Sequence, residues 1–258
     1  MNNTLNINRF GLLLRRQVQE YGKIFGITVA VLIGALSFCY WYYGPSATDI
    51  NTHKLEMSYR IGLFMGFGLM FVALSASTYF AAFGNKSRTI AELMLPSSKF
   101  EKFLAGILLA GIIPIITFLA MFLALDVVMV GYLQGKLESA SALIPTIYTL
   151  VKPGKYEGFF IAMIILVPLF LNSLYLLGSI YFEKYHFLKT TISVIIISLI
   201  VGWLLGNTTD ALFEGKRRMM GASQLKEETM MYIACITSLI VTTFIWFIGY
   251  IRLKEKEV

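Results

Sequence analysis

The chain has 258 residues, of which 57% are hydrophobic and 14% are charged, and its formal net charge is +7. Soluble proteins carry about 25% charged residues, so this composition excludes an ordinary soluble domain. The basic excess does not indicate nucleic-acid binding, because the lysines and arginines are spread over the ends of apolar segments, where membrane topology and anionic lipid account for them.

Six long apolar segments are predicted to cross a membrane as α-helices. The hydrocarbon core of a bilayer is about 30 Å thick, which about 20 helical residues span, and a helix satisfies its own backbone hydrogen bonds. The predicted spans are residues 24–43, 61–83, 103–132, 158–182, 190–205 and 230–251. The predicted fold class is an all-α membrane protein with six transmembrane helices, which form a single transmembrane domain over residues 1–258.

Residues 8–22, ahead of the first span, show helical periodicity. Their apolar side chains recur at i, i+3 and i+4 spacing, whereas most of the charged side chains fall elsewhere. The apolar set is Phe10, Leu13, Leu14, Val18 and Tyr21. This pattern predicts an amphipathic helix in the membrane interface, and the alternative is an extension of the first span.

Glycine and proline mark special positions within the spans. Gly62-x-x-x-Gly66 in the second span has the spacing that allows close helix approach in lipid. Pro114 and Pro168 remove helix hydrogen bonds from the third and fourth spans. We therefore expect a kink or a local break in each of these two helices.

The second loop, residues 84–102, is predicted to carry a short helix that ends before Pro96. Ser98 and Glu101 have the spacing of a capping box that opens the third span. The short helix would expose a small apolar surface, which needs a partner or the membrane surface. That surface comprises Ile90, Leu93 and Met94.

The distribution of basic residues predicts the orientation. An even number of spans places both termini on one side, and that side carries thirteen of the 22 lysines and arginines against nine on the other. The excess favours cytoplasmic termini. In this orientation the 84–102 loop is cytoplasmic, and Arg60 and Asp126 lie toward the outer side.

The motifs of common intramembrane chemistry are absent from the sequence. No nucleotide-binding loop, H-E-x-x-H or G-x-S-x-G motif occurs, and His53 and His186 fall on opposite predicted sides, so no metal site and no catalytic residue is predicted. Asp126 is the one clear acid within a span. It either reaches water near the interface or pairs with Arg60, which begins the second span at a similar depth.

The layout of the chain and the loop sequence Leu93-Met94-Leu95-Pro96-Ser97-Ser98-Lys99-Phe100-Glu101-Lys102-Phe103 resemble a known family. The chain resembles the ABC-2 type permease subunits of bacterial ABC transporters, in a Bacteroidetes-like form. The resemblance covers the whole chain in layout, and about ten residues carry its specific sequence signal. The connection before the sixth span departs from the family pattern, because it is charged where many members have an apolar re-entrant hairpin.

The resemblance implies a type V ABC exporter-like fold in the bacterial cytoplasmic (inner) membrane. Two permease subunits would pair, as a homodimer or a heterodimer, and each would dock a separate cytoplasmic ATPase that binds ATP and Mg. The chain itself would be no enzyme and would bind no cofactor. Residues 8–22 would be a connecting helix. The residues implied in ATPase coupling are Arg88, Ile90, Glu92, Leu93 and Met94.

Two other classes of function remain open at the level of sequence. One is a membrane-embedded assembly or signalling subunit that does not transport. The other is a secondary transporter, for which internal symmetry between the halves would be typical. The few polar groups within the spans fit a lipid, lipid-linked or amphipathic substrate better than a charged one.

Overall fold

Every part of the chain that the computed structural model describes is helical or lies at a helix end. These parts are residues 6–43, 59–79, 98–136, 157–182, 185–213 and 227–256, and they contain no strand. The helices are α1 (Ile7–Tyr43), α2 (Tyr59–Tyr79), α3 (Lys99–Ile107 and Ile113–Lys136, joined by a π-helical turn at Leu108–Ile112), α4 (Glu157–Tyr181), α5 (His186–Phe213) and α6 (Glu227–Lys256). Six helices are long and apolar enough to cross a membrane, as predicted.

The first helix differs from the prediction for residues 8–22. These residues form the first turns of α1, which continues without a break through the first span to Tyr43. The separate interfacial helix is therefore not confirmed, and the alternative of an extended first span fits the structure. The physical reason is packing: Leu13 is buried, and the Tyr21 hydroxyl donates a hydrogen bond of 3.1 Å to the backbone carbonyl of Ser75.

The two prolines have different effects. The π-helical turn Leu108–Ile112 ends just before Pro114, and the N–H of Ile113 bonds to the carbonyl of Leu108, five residues back. Widening the helix there accommodates a residue that lacks an N–H and whose ring crowds the preceding turn. The expected local break in the third span is this π turn. Around Pro168, by contrast, α4 continues as one helix.

The chain divides into two compact units. The N-terminal unit comprises residues 1–75 and 96–157, and the C-terminal unit comprises residues 76–95 and 158–258. In the N-terminal unit, side chains at three- and four-residue spacing on α1, α2 and α3 meet in one aromatic core. The fully packed members of this core are Leu36, Tyr40, Phe71, Phe118 and Phe122.

Contacts at both ends of the N-terminal unit define the helix directions. The first turn of α1 contacts the first turn of α3 through Arg9 and Glu101, and Tyr40 near the end of α1 contacts Asp126 in the second half of α3. These helices are therefore parallel. Tyr40 also lies beside Tyr59, the first residue of α2, so α2 runs antiparallel to both. The resulting up-down-up arrangement is that of three successive membrane crossings.

Gly68 marks the closest approach of α2 and α3. A Cβ atom built on it would lie 2.6 Å from Cε1 of Phe118, whereas Gly62 and Gly66 have nothing of the described chain within 4 Å of such an atom. The close helix approach suggested by Gly62-x-x-x-Gly66 therefore falls at a different glycine in this unit.

Gly68→Ala is expected to destabilise the protein by about 1–3 kcal/mol, the usual cost of overpacking a core. The Phe118 ring cannot move away easily, because it packs against Phe64, Phe71 and Phe122. Thermal unfolding of the purified protein measures the loss. Gly66→Ala is the matched control and should be neutral or slightly stabilising, since alanine is the better helix former. Equal losses for the two variants would contradict the close contact at Gly68.

In the C-terminal unit, α4 and α5 form a tight helical hairpin. Tyr185 in the connecting turn has φ 56°, in the left-handed region that a non-glycine residue seldom adopts. A Cβ atom on Gly178 would overlap the side chain of Thr190, so the backbone of α4 packs directly against the Thr190 side chain of α5 there. The guanidinium of Arg252 on α6 lies 5.1 Å from the ring centroid of Tyr181, which connects the end of α4 to α6.

Candidate functional site

A capping box opens α3. Ser98 is the N-cap residue, its hydroxyl accepts a hydrogen bond of 3.2 Å from the N–H of Glu101, and the Glu101 carboxylate accepts one of 2.9 Å from the N–H of Ser98. The capping box predicted from the sequence is confirmed. It satisfies two backbone donors at a helix start, which leaves α3 with a well-defined first turn.

The same Glu101 carboxylate binds the first turn of α1. The Arg9 guanidinium donates to it in a two-pronged arrangement, with Nε 2.9 Å from Oε2 and Nη2 2.7 Å from Oε1. The backbone N–H of Asn6 donates to Oε1 at 2.9 Å. The Glu101 side chain is 0% exposed, whereas that of Arg9 is 32% exposed. One buried carboxylate therefore joins the beginning of α1 to the beginning of α3, and we call this cluster the Glu101 clamp.

A second buried ion pair lies toward the other end of the same unit. Nε of Arg60 donates to Oδ1 of Asp126 at 2.7 Å, and Nη2 of Arg60 forms a short contact with Oδ2. The hydroxyl of Tyr40 donates to Oδ1 at 2.8 Å. The side chains of Arg60 and Asp126 are 0% and 1% exposed. Asp126 is therefore buried and paired, and the alternative prediction that it reaches water near the interface does not fit this structure. We call the group formed by Tyr40, Arg60 and Asp126 the Asp126 lock.

Aromatic rings surround the Asp126 lock. The Tyr40 ring lies 6.2 Å from that of Phe122, Phe122 lies 5.1 Å from Phe64, and Tyr40 lies 6.1 Å from Tyr59. This shell excludes water, so the two charges interact in a low local dielectric, where breaking the pair is expensive. The lock connects all three helices of the unit, because Tyr40, Arg60 and Asp126 come from α1, α2 and α3.

The structure describes some of the residues that the sequence predicted to be functional, and others lie outside the described residues. It brings Arg60 and Asp126 together, as the pairing hypothesis required, and it shows the structural role of Ser98 and Glu101. The residues implied in ATPase coupling lie outside the described residues, as does most of the 84–102 loop. These residues are Arg88, Ile90, Glu92, Leu93 and Met94.

Sequence reasoning missed Arg9 and Tyr40. Arg9 is 92 residues from Glu101, and Tyr40 is 86 residues from Asp126. Neither has a local motif that could have revealed its partner. The available signal was the presence of Glu101 and Asp126 in or near apolar spans, because charges at such depth are expensive unless they are paired.

The two clusters connect helices, because each oxygen of the Glu101 and Asp126 carboxylates accepts at least one hydrogen bond from a protein donor. The described residues contain no group of three or more His, Cys, Asp or Glu side chains that could hold a metal ion. Fold and site together define a multi-pass helical membrane protein with buried polar connections between spans. No family model, curated protein or solved structure gives a significant match to this chain.

Proposed function

We propose that the protein is the transmembrane permease subunit of an ATP-driven ABC transporter, which exports its substrate and is energised by a separate ATPase subunit. The observation that supports this most directly is the Glu101 clamp. Ser98 and Glu101 belong to the loop motif that resembles ABC-2 permeases, and the same two residues hold the starts of α1 and α3 together. A loop that receives force from a motor needs such a rigid connection to the spans.

In the proposed mechanism, the 84–102 loop is displaced by the ATPase, and the Glu101 clamp and the Asp126 lock transmit that displacement to the membrane-spanning helices. Closure of the ATPase on ATP would displace the short helix before Pro96. Because Ser98 and Glu101 follow directly, the displacement would pass into α3, and through Arg9 into α1. The Asp126 lock would make α2 follow as well, so three spans would move as one body toward the other side of the membrane.

The remaining parts of the proposal follow the resemblance. A second permease subunit completes a type V exporter-like assembly in the bacterial inner membrane, with both termini of this chain in the cytoplasm. ATP and Mg are bound by the ATPase and not by this chain. A lipid, lipid-linked or amphipathic substrate suits an interior in which the buried Arg60 and Asp126 are already paired with each other.

Cysteine crosslinking tests the proposal. In a Cys39→Ala/Cys235→Ala background, Glu92→Cys or Met94→Cys is expected to crosslink to an ABC ATPase encoded beside this chain and co-expressed with it. Tyr232→Cys on the exposed surface of α6 is the control and should not crosslink. The permease assignment fails if the loop cysteines stay fully reactive toward a thiol reagent in the assembled membrane, or if no such ATPase copurifies. Crosslinking without ATP-dependent transport would instead support an assembly or signalling subunit.

A further inference from the structure

The first helix is longer than a membrane is thick. Its 37 residues extend about 55 Å at 1.5 Å per residue, against a hydrocarbon core of about 30 Å. Tyr40 to Tyr43 at its end are typical of the aromatic belt at one interface. About 20 residues back along the helix, the other hydrocarbon boundary falls near residue 20. The head-group layer is about 5–8 Å thick on each side, so residues from about 15 to 23 lie in it or beside it, and the turns before them lie beyond it.

One face of these turns is exposed in the part of the chain that the structure describes. Leu12, Arg15, Gln19 and Lys23 follow i, i+3, i+7 and i+11 spacing, which places them on one side of the helix. All four are exposed, and Leu12 is 69% exposed. The apolar stripe predicted from the sequence is mostly turned the other way, toward α2 and α3, so this exposed face is a separate surface. We call it the Arg15 face.

The Arg15 face carries charge that no carboxylate of the described residues balances. Of the four basic residues in the first turns of α1, Arg9 pairs with Glu101 and Arg16 pairs with Glu20. Arg15 and Lys23 have no carboxylate partner among the residues that the structure describes. They lie about 12 Å apart along the helix axis, one at the hydrocarbon boundary and one further out. A basic side chain close to an anionic membrane surface gains about 1 kcal/mol, or about fivefold in affinity.

We propose that the Arg15 face is a binding surface for anionic phospholipid head groups, with Arg15 and Lys23 as the cationic contacts. Charge complementarity favours this occupant, and both side chains are long enough to reach the head-group layer from their positions on the helix. The inference goes beyond the proposed function and does not depend on it, because it rests on the length of α1, its packing and its charge.

Energy transfer to labelled lipids tests the proposal. The full-length protein carries a donor dye on Gln19→Cys in the Cys39→Ala/Cys235→Ala background, and it is reconstituted in phosphatidylcholine vesicles. A small, equal fraction of acceptor is supplied as phosphatidylglycerol or phosphatidylcholine bearing the same acyl-chain dye. We expect phosphatidylglycerol to be enriched about fivefold at each cation near the donor, and we expect added salt to reduce the enrichment.

Charge variants decide the outcome. Arg15→Gln/Lys23→Gln should abolish the enrichment, whereas the charge-conserving Arg15→Lys/Lys23→Arg should retain it. Inorganic phosphate added at matched ionic strength should not displace the lipid. Equal transfer to both lipids overturns the proposal, and so does a preference for phosphatidylglycerol that survives in the glutamine variant. Displacement by phosphate would show a site for the free anion and would also overturn it.

Discussion

Asp126→Asn is expected to destabilise the protein by about 3–5 kcal/mol, the usual cost of breaking a buried ion pair. The substitution leaves the Arg60 guanidinium charged, 0% exposed and without its carboxylate. Arg60→Gln should cost a similar amount, because it leaves the buried Asp126 carboxylate without its cation and with the hydrogen bond from the Tyr40 hydroxyl. Thermal unfolding of the purified protein in detergent measures both losses.

The double variant is the decisive measurement for the Asp126 lock. Arg60→Gln/Asp126→Asn should lose clearly less than the sum of the single losses, because the two sites are directly coupled. Arg60→Met/Asp126→Leu with Tyr40→Phe should recover still more, since apolar groups of similar size can replace a buried ion pair at little cost. Glu255→Gln removes an exposed pair with Arg252 and is the control, with an expected change of less than about 1 kcal/mol. Strict additivity of the two single losses would refute the lock.

If the apolar triple variant is as stable as the original protein, the Asp126 lock is not required for stability. A buried ion pair whose apolar replacement folds equally well is a candidate for conformational specificity, which is a hypothesis for this protein. Under the proposed function, the triple variant should fold but transport poorly, because the three spans would lose the directional bonds that keep them in register. Full transport activity in that variant would limit the lock to a packing role.

Arg9→Gln and Glu101→Gln are each expected to destabilise the protein more than the loss of an exposed ion pair does, although the Arg9 side chain is 32% exposed. Removing Arg9 leaves a fully buried carboxylate that keeps only its backbone donors, and losing hydrogen bonds to a charged group costs about 1.5–3 kcal/mol. Glu101→Gln removes the buried charge, but it leaves a single acceptor oxygen where Asn6 and Ser98 each donate a backbone N–H to a separate carboxylate oxygen, so one buried donor loses its partner. Its cost should be about 1–3 kcal/mol.

A neighbouring ion pair supplies the control for the Glu101 clamp. Arg16 pairs with Glu20 on the exposed surface of α1 at 3.0 Å, and Arg16→Gln should change stability by about 0.5 kcal/mol or less. Thermal unfolding of the three variants under one condition gives the comparison. If Arg9→Gln behaves like Arg16→Gln, the carboxylate of Glu101 is not held in a buried clamp. Arg9→Lys should be intermediate, since an ammonium cannot form the two-pronged contact.

Under the proposed function, Glu101→Gln also tests whether the Glu101 clamp couples ATP hydrolysis to transport, apart from its effect on stability. Glu101→Gln keeps the start of α3 capped but removes the ionic connection to α1. In an assembled transporter, this variant should still bind its ATPase, while the ATP hydrolysed for each transport event should rise. Unchanged coupling in a stable Glu101→Gln complex would show that motion enters the spans by another route.

The number and the approximate limits of the six helices follow from the sequence alone. Each depends on local properties, namely about 20 consecutive apolar residues, backbone bonds within the segment and the capping residues at its start. Ser98 and Glu101 are three residues apart, so their capping box could be read directly. Pro114 likewise indicated a disturbed third helix, and the π turn lies beside it.

The tertiary structure decided which faces of the helices meet. In a membrane protein the lipid-facing and core-facing side chains are both apolar, so periodicity does not reveal the packed face as it does in a soluble helix. That is why Gly68, and not Gly62 or Gly66, proved to be the close contact. It is also why α1 was expected to break near residue 22, when contacts of its first turns with the rest of the unit hold it straight.

The partners of the buried charges could likewise be found only in three dimensions. Glu101 joins Arg9 across 92 residues of sequence, and Asp126 joins Arg60 across 66 residues. Such pairs depend on the relative rotation and depth of whole helices, which no local pattern encodes. The sequence showed that charges this deep in apolar segments needed partners; the packing of α1, α2 and α3 determined which residues those partners are, because only packing sets the distance between them.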